Sequence, residues 1–299
     1  MAVHPDTLQR FLLEASGVRG ELVHLDQTWQ TLLERQDYPA PVRRVLGEAA
    51  AAVALLASTI KFDGSLILQA SGGGPLTLLV VEASGSRTLR GLARWRGTVP
   101  EDGDLTTLFG RSRLAITVDP GEGRERYQGL VELEGAGIAD ALQTYFDRSE
   151  QLPTRLWLAA DGRQAAGMML QRVPGRAGRE GLEHHDPDAW DRHVTLADTV
   201  TSAELLGLGH NDLLRRLYHQ EAVRVFEPER WGFGCRCSRE RVKRMLLGLG
   251  QPEVEDILAE QGHVQVDCEF CAARYRFDQV DVAELFCATD SVSAGDTRH

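Results

Sequence analysis

The chain has 299 residues, an apolar fraction of 42% and a formal net charge of −11. That length exceeds one typical domain, and the composition excludes a disordered or fibrous chain. Acidic residues outnumber basic ones in 1–173, in 174–230 and in 231–299 alike, so no nucleic-acid partner is expected.

Met1 to Phe11 lacks a charged start followed by an apolar core, so no secretory signal is expected. Residues 6–36 read as a short helix, a strand through Val18–Val23 and another helix. Pro39 and Pro41 suit the first turn of a longer helix, whose alanine-rich body from Val42 to Ile60 is apolar on most faces, as in a buried helix. Its most apolar stretch, Ala49 to Ile60, is 12 residues long against the roughly 20 needed to span a bilayer. A cytoplasmic protein with no membrane partner is expected.

From Ser65 the pattern changes to short β runs at 66–68, 76–81, 89–95, 114–118 and 128–133, separated by glycine-containing turns. Gly72-Gly73-Gly74-Pro75 lacks the Lys-Ser/Thr ending of a phosphate loop and reads as a turn. A helix over Ile138–Phe146 and strands at 156–158 and 165–171 complete an α+β domain ending near Val173. Residues 174–230 are rich in glycine and charge at first, then predict helical pieces over 189–206 and 211–219. With few large apolar groups to anchor them, they read as a marginally stable linker. The expected fold class is therefore α+β, with a mixed or antiparallel sheet domain and packed helices (1–173), a helical linker (174–230), a small zinc-binding domain (231–287) and a disordered tail (288–299).

All five cysteines lie in the last quarter, and four form two close pairs, Cys235-Arg236-Cys237 and Cys268-Glu269-Phe270-Cys271. In a reducing compartment such pairs favour metal or redox roles over permanent disulfides. On an extended chain residues 235 and 237 point to the same side, and a C-x-x-C knuckle supplies the other half of a tetrahedral thiolate site, for which zinc is the usual ion. Four Zn–S bonds of about 2.3 Å separate neighbouring sulfurs by roughly 3.8 Å, whereas a disulfide needs about 2.05 Å. Metal and disulfide are thus mutually exclusive states of the same sulfurs. A module this small cannot rely on its core alone, and structural zinc contributes an apparent ~10–16 kcal/mol to folding in such modules. The spacing favours a purely structural zinc module and leaves a redox switch open.

Arg236, Arg239, Arg241, Lys243 and Arg244 crowd the first pair, either favouring thiolate or forming the solvated face of a helix. They also support a second reading, a zinc ribbon that binds nucleic acid, against the acidic whole. A third reading, a disulfide oxidoreductase using Cys268 and Cys271, lacks the expected βαβ context. No Ser-His-Asp order or carboxylate pair stands out, so no enzyme is expected. His263 is a substitute ligand at most, Cys287 a bystander thiol, and His184 and His185 solvated loop residues.

The segments GCRCSRERV (234–242) and DCEFCAARYRF (267–277) give the pattern C-x-C-x30-C-x-x-C. With VRGELV (18–23), KFDG (61–64), GGGPL (72–76), ERYQGLVELEG (125–135), YFDRSEQLPT (145–154), AAGMMLQ (165–171) and LLRRLYHQE (213–221), the chain resembles the redox-regulated 33-kDa heat-shock chaperones of bacteria over its full length. The resemblance implies an ATP-independent holdase, inactive when reduced and carrying one zinc per chain on Cys235, Cys237, Cys268 and Cys271. It further implies that oxidant with heat forms Cys235–Cys237 and Cys268–Cys271 disulfides, releases zinc and unfolds the linker. The active form, commonly a homodimer, would then bind unfolding client proteins. Cys287 lies outside that pattern.

Overall fold

The computed structural model describes residues 6–60, 63–121, 123–172, 186 and 188–293, the last six without their side chains. Lys61, Phe62, the beginning of the segment from 174 with His184 and His185, and residues 294–299 lie outside the described residues. The chain divides into two compact units, Met1–Gly234 and Cys235–His299. The architecture is α+β, as the sequence predicts.

The first unit opens with strands β1 (Thr7–Leu13) and β2 (Val18–Leu25) and helices α1 (Gln27–Leu33) and α2 (Ala40–Thr59). There follow β3 (Ser65–Ser71), β4 (Leu76–Ser84), β5 (Thr88–Trp95), α3 (Leu105–Phe109), β6 (Arg113–Asp119), β7 (Tyr127–Glu132) and α4 (Ile138–Tyr145). A π-helical turn, Phe146–Glu150, leads to β8 (Thr154–Ala160) and β9 (Ala165–Arg172). Three short helices, α5 (Ala189–Ala197), α6 (Ser202–Gly207) and α7 (His210–Tyr218), precede β10 (Val223–Val225), β11 (Glu229–Arg230) and β12 (Gly232–Phe233). One sheet has the order β10-β1-β2-β9-β8, with β11 also pairing β1, and the other β12-β5-β4-β3-β6-β7. Every pairing is antiparallel except β12 with β5.

Helix α2 packs on β2, β8 and β9 of the first sheet and on β3, β4 and β5 of the second. Alanine at 49–52, 54 and 57 keeps the helix thin enough for close approach on all sides, and those residues are buried. Gly47 is needed for the same reason, since a Cβ there would lie 2.3 Å from that of Ala160. The Gly72–Pro75 turn joins β3 to β4 and lies on the backbone of α3. Side chains at Gly72 or Gly74 would run into the Phe109 and Leu108 carbonyls, at 2.0 and 2.4 Å. These glycines serve close backbone packing of the β3–β4 turn against α3.

The sequence predicts a short helix before Val18, but the structure has strand β1 there, paired with β2 from Thr7↔His24 to Leu13↔Val18. The reason is burial on both faces. Leu8 belongs to the core around α2, whereas Phe11 and Leu13 belong to a second core on the opposite face of the sheet. Apolar residues facing both ways erase the two-residue period that marks a strand. The second core joins Phe11, Leu13, Val18, Leu22, Met168 and Leu170 to Leu205, Leu213, Leu214, Leu217 and Tyr218 of α6 and α7. The segment after 188 thus carries more large apolar anchors than its composition suggests, because α7 concentrates them at 213, 214, 217 and 218, one helical face.

Two histidines sit in this layer, and Glu21 faces α2 on the other side of the sheet. His24 accepts or donates a 2.7 Å hydrogen bond at the Leu205 carbonyl and stacks on His210, and His193 Nε2 lies 3.0 Å from Ser16 Oγ. Burial holds both His24 and His193 below the ordinary histidine value of 6.5. Glu21 on β2 behaves oppositely: burial raises its carboxyl from 4.5 to about 7, partly offset by the Ser58 hydroxyl and by Arg19 and Arg10.

Because the folded value of Glu21 lies above the unfolded one, its contribution to stability is fully present below about pH 4.5 and is lost as pH rises through about 7. The change is on the order of 3 kcal/mol. Glu21→Gln is therefore expected to gain stability on the parent progressively from pH 4.5 to 8 in denaturant titrations, a comparison in which the histidine contributions cancel. A pH-independent difference would refute the assignment.

Leu217→Ala removes a buried side chain and is expected to cost about 2–5 kcal/mol. If α5–α7 open as a local unit, their amides should exchange faster in this variant while those of α2 do not. Equal acceleration in both would show that the cover and the central core open together.

Candidate metal centre

The second unit contains helices α8 (Arg239–Leu249) and α9 (Gln251–Gln261), hairpin strands β13 (Val264–Asp267) and β14 (Arg274–Phe277) and helix α10 (Gln279–Ser293). Val242, Leu246, Val254, Val264, Phe277, Val282 and Leu285 are its buried apolar residues among those described. Seven such side chains are a slender core for a module of this size.

The two cysteine pairs reach the site from different local structures. Cys235 and Cys237 lie on irregular chain that ends when Ser238 caps α8, its hydroxyl accepting from the Arg241 amide at 3.2 Å. Cys268 and Cys271 occupy the turn between β13 and β14. There the Ala272 amide donates to the Cys268 carbonyl at 2.7 Å, and the Cys268 amide to the Ala273 carbonyl at 2.9 Å. Ala272 adopts a left-handed φ of 55° to close the turn. The register Val264↔Phe277 and Val266↔Tyr275 places the hairpin's apolar face next to the knuckle.

The four sulfurs lie within 4.8 Å of one another. Cys235 Sγ is 3.6 Å from Cys268 Sγ, and Cys237 Sγ is 3.2 Å from Cys271 Sγ. These separations are close to the roughly 3.8 Å edge of a tetrahedral thiolate site and far from a disulfide bond. Burial pushes the Cys268 and Cys271 thiols upward; the neighbouring sulfurs add to this at Cys271, whereas at Cys268 backbone amides and Cys271 partly offset it. Four converging sulfurs can become thiolates together only with a cation among them, so the donor set fits a soft divalent ion. The four sulfurs are placed so that they could hold a metal ion.

Other candidate residues stay outside it. Cys287 is exposed on α10, and His263 Nδ1 contacts the Gln261 carbonyl at 3.0 Å. Arg239 is engaged within the unit: it donates to Asp281 at 2.7 Å and to the Arg276 carbonyl at 2.8 Å, and covers the Phe277 ring at 4.2 Å. That removes it from the set offered to nucleic acid. The Cys268–Cys271 turn joins two strands of a hairpin, unlike the strand-to-helix turn of a thioredoxin-like site.

One contact was missed in the sequence. The Tyr275 hydroxyl donates to Cys237 Sγ at 3.2 Å, and this bond pushes the Tyr275 phenol up to about 12. Strand alternation places Tyr275 on the Phe277 side of the hairpin, but no spacing rule pairs a tyrosine with a distant cysteine.

Comparison with known proteins agrees with this geometry. The chain is 52% identical to the 33 kDa chaperonin of Nitrosococcus oceani, over 98% of its own length and 99% of that protein. It is 49% identical to the 33 kDa chaperonin of Ectopseudomonas mendocina, with the same coverage of both chains. The crystal structure of the 33 kDa chaperonin of Thermotoga maritima superposes with a TM-score of 0.81 over 96% of this chain and 99% of that one. At 22% identity this establishes the shared fold. These relatives are named as chaperonins, not as enzymes. The family described as Hsp33 protein matches residues 6–278, and this chain belongs to it.

Proposed function

We propose that the chain is an ATP-independent holdase whose binding surface is controlled by the oxidation state of Cys235, Cys237, Cys268 and Cys271. The observation that carries the reading is the convergence of those four sulfurs within 4.8 Å. Reduced, they would hold one zinc ion per chain, which would supply folding free energy to a module with a slender core. Oxidation takes them out of the ligand set. In each pair two thiolates give two electrons to one peroxide; an S–S bond forms, the O–O bond breaks and two protons complete two waters. The proposed pairs are Cys235–Cys237 and Cys268–Cys271, those adjacent in sequence.

The client surface in this reading is the apolar face of the first sheet. Residues 174–230 act as the linker that covers it. Helices α5, α6 and α7 have nine, six and nine residues, too short to persist without packing. Their departure would bare Phe11, Leu13, Val18, Leu22, Met168 and Leu170, an apolar patch suited to unfolding proteins. Residues 231–287 then act as the redox module, the oxidised form works as a homodimer, and the protein operates in the cytoplasm. Among the described residues no helix is long and apolar enough to cross a membrane.

The test is to treat zinc-loaded protein with peroxide at raised temperature. Zinc release, thiol loss, protease sensitivity of 174–230 and suppression of a client's aggregation are expected to change in step. A Cys268→Ser, Cys271→Ser variant should bind zinc poorly and lose the parent's graded response. Client protection that appears with all four thiols reduced and zinc retained would refute the reading.

A further inference from the structure

The segment carrying Cys235 and Cys237 belongs to no strand of the second unit's hairpin. Two side-chain hydrogen bonds tie it and the start of α8 to β14. Arg239, just after it, donates to the Arg276 carbonyl, and Tyr275 donates to Cys237 Sγ at 3.2 Å. The tyrosine bond reaches a sulfur itself and joins one half of the site to the strand that leaves the other half. A hydroxyl donating to a thiolate draws off part of its charge and makes that sulfur a weaker nucleophile and a weaker base. It also fixes the direction from which Sγ presents its remaining lone pairs.

We infer that Tyr275 is a positioning residue of the metal centre: its hydroxyl holds Cys237 in the ligand set and sets how readily that corner is lost. This rests on the metal-site reading above and adds to it a residue outside the four sulfurs. Removing the hydroxyl while keeping the ring takes from Cys237 its hydrogen bond to β14 and leaves its contact with Cys271 Sγ, with a more basic and more reactive sulfur. Release of the ion should then need less competition from protons, chelator or oxidant.

The experiment compares the full-length parent with Tyr275→Phe, each loaded with zinc and then with cobalt(II). Tyr275→Phe is expected to lose zinc to a chelator about tenfold faster without oxidant, the lower end of the usual effect of losing an outer-shell partner. Its sulfur-to-cobalt charge-transfer band should move to lower energy, a signature that a merely structural role for the ring would not give. Unchanged release and an unchanged band in a metal-loaded parent and variant overturn the inference and leave the redox reading standing. A parent that takes up no metal overturns both. Should Tyr275→Phe fail to fold, the parent loaded with cadmium-113 decides: a slowly exchanging Tyr275 hydroxyl proton coupled to the metal supports the bond, and its absence refutes it.

Discussion

A sheet that carries apolar side chains on both faces needs two covers, and the rest of the first unit follows from how those covers are made. On one face lies α2, 20 residues long and so thinned by alanine that a second sheet packs on its far side. That helix is buried along nearly its whole length, so its removal would expose both sheets at once. The other face is closed by α5, α6 and α7, which together contribute fewer residues than two such helices and lie at the surface. Their inner sides carry Leu205, Leu213, Leu214, Leu217 and Tyr218, while Glu204, Arg215 and Arg216 belong to the polar side. One sheet thus has a cover built into the fold and a cover laid on it. In the proposed function the second is the one that leaves.

The second unit presents the complementary problem. Among the described residues it buries seven apolar side chains, which by themselves do not account for four sulfurs drawn within 4.8 Å. In the proposed function a cation would account for it, since it would turn mutual crowding into four bonds and tie the capped start of α8 to the β13–β14 turn. The same arithmetic makes the unit conditional. Ordinary packing interactions contribute a few kcal/mol each, whereas a structural metal contributes about as much as a whole domain's net stability.

What the sequence revealed and what it hid divide along physical lines. The sulfur site was legible because ligand spacing is a local constraint: C-x-C and C-x-x-C report their geometry within a few residues. Helix α2 was legible because an all-round apolar run of that length, too short to span a bilayer, has few alternatives to a buried helix. Strand β1 was misread because Leu8 faces one core and Phe11 and Leu13 another, which leaves no alternation to detect. The anchors of α6 and α7 were underestimated because composition averages over a segment whose apolar groups are gathered on one face. Tyr275 was invisible for a different reason. Its partner Cys237 is 38 residues away and outside the hairpin, and only the folded unit brings them together.

The chain at residues 235–237 bears on how a local chemical event could reach beyond the sulfurs. In the extended chain that the C-x-C spacing predicts, α-carbons two residues apart are roughly 6.6 Å apart, near the upper limit that a disulfide accepts, so bonding Cys235 to Cys237 would draw the backbone in. On the amino side there is little slack to absorb that change. Only Gly234 separates Cys235 from Phe233, which is paired with Leu89 in the second sheet, and Trp231 beyond it is buried in the core around α2. Gly234 itself is closely confined, since a Cβ there would lie 2.5 Å from the Thr88 side chain. On the carboxyl side Ser238 already caps α8. Of the two neighbouring elements, β12 is held by the shorter ladder, two residues long, and it directly follows the segment that carries α5–α7, β10 and β11. In the proposed function its loosening would be the route by which the state of the sulfurs reaches the laid-on cover.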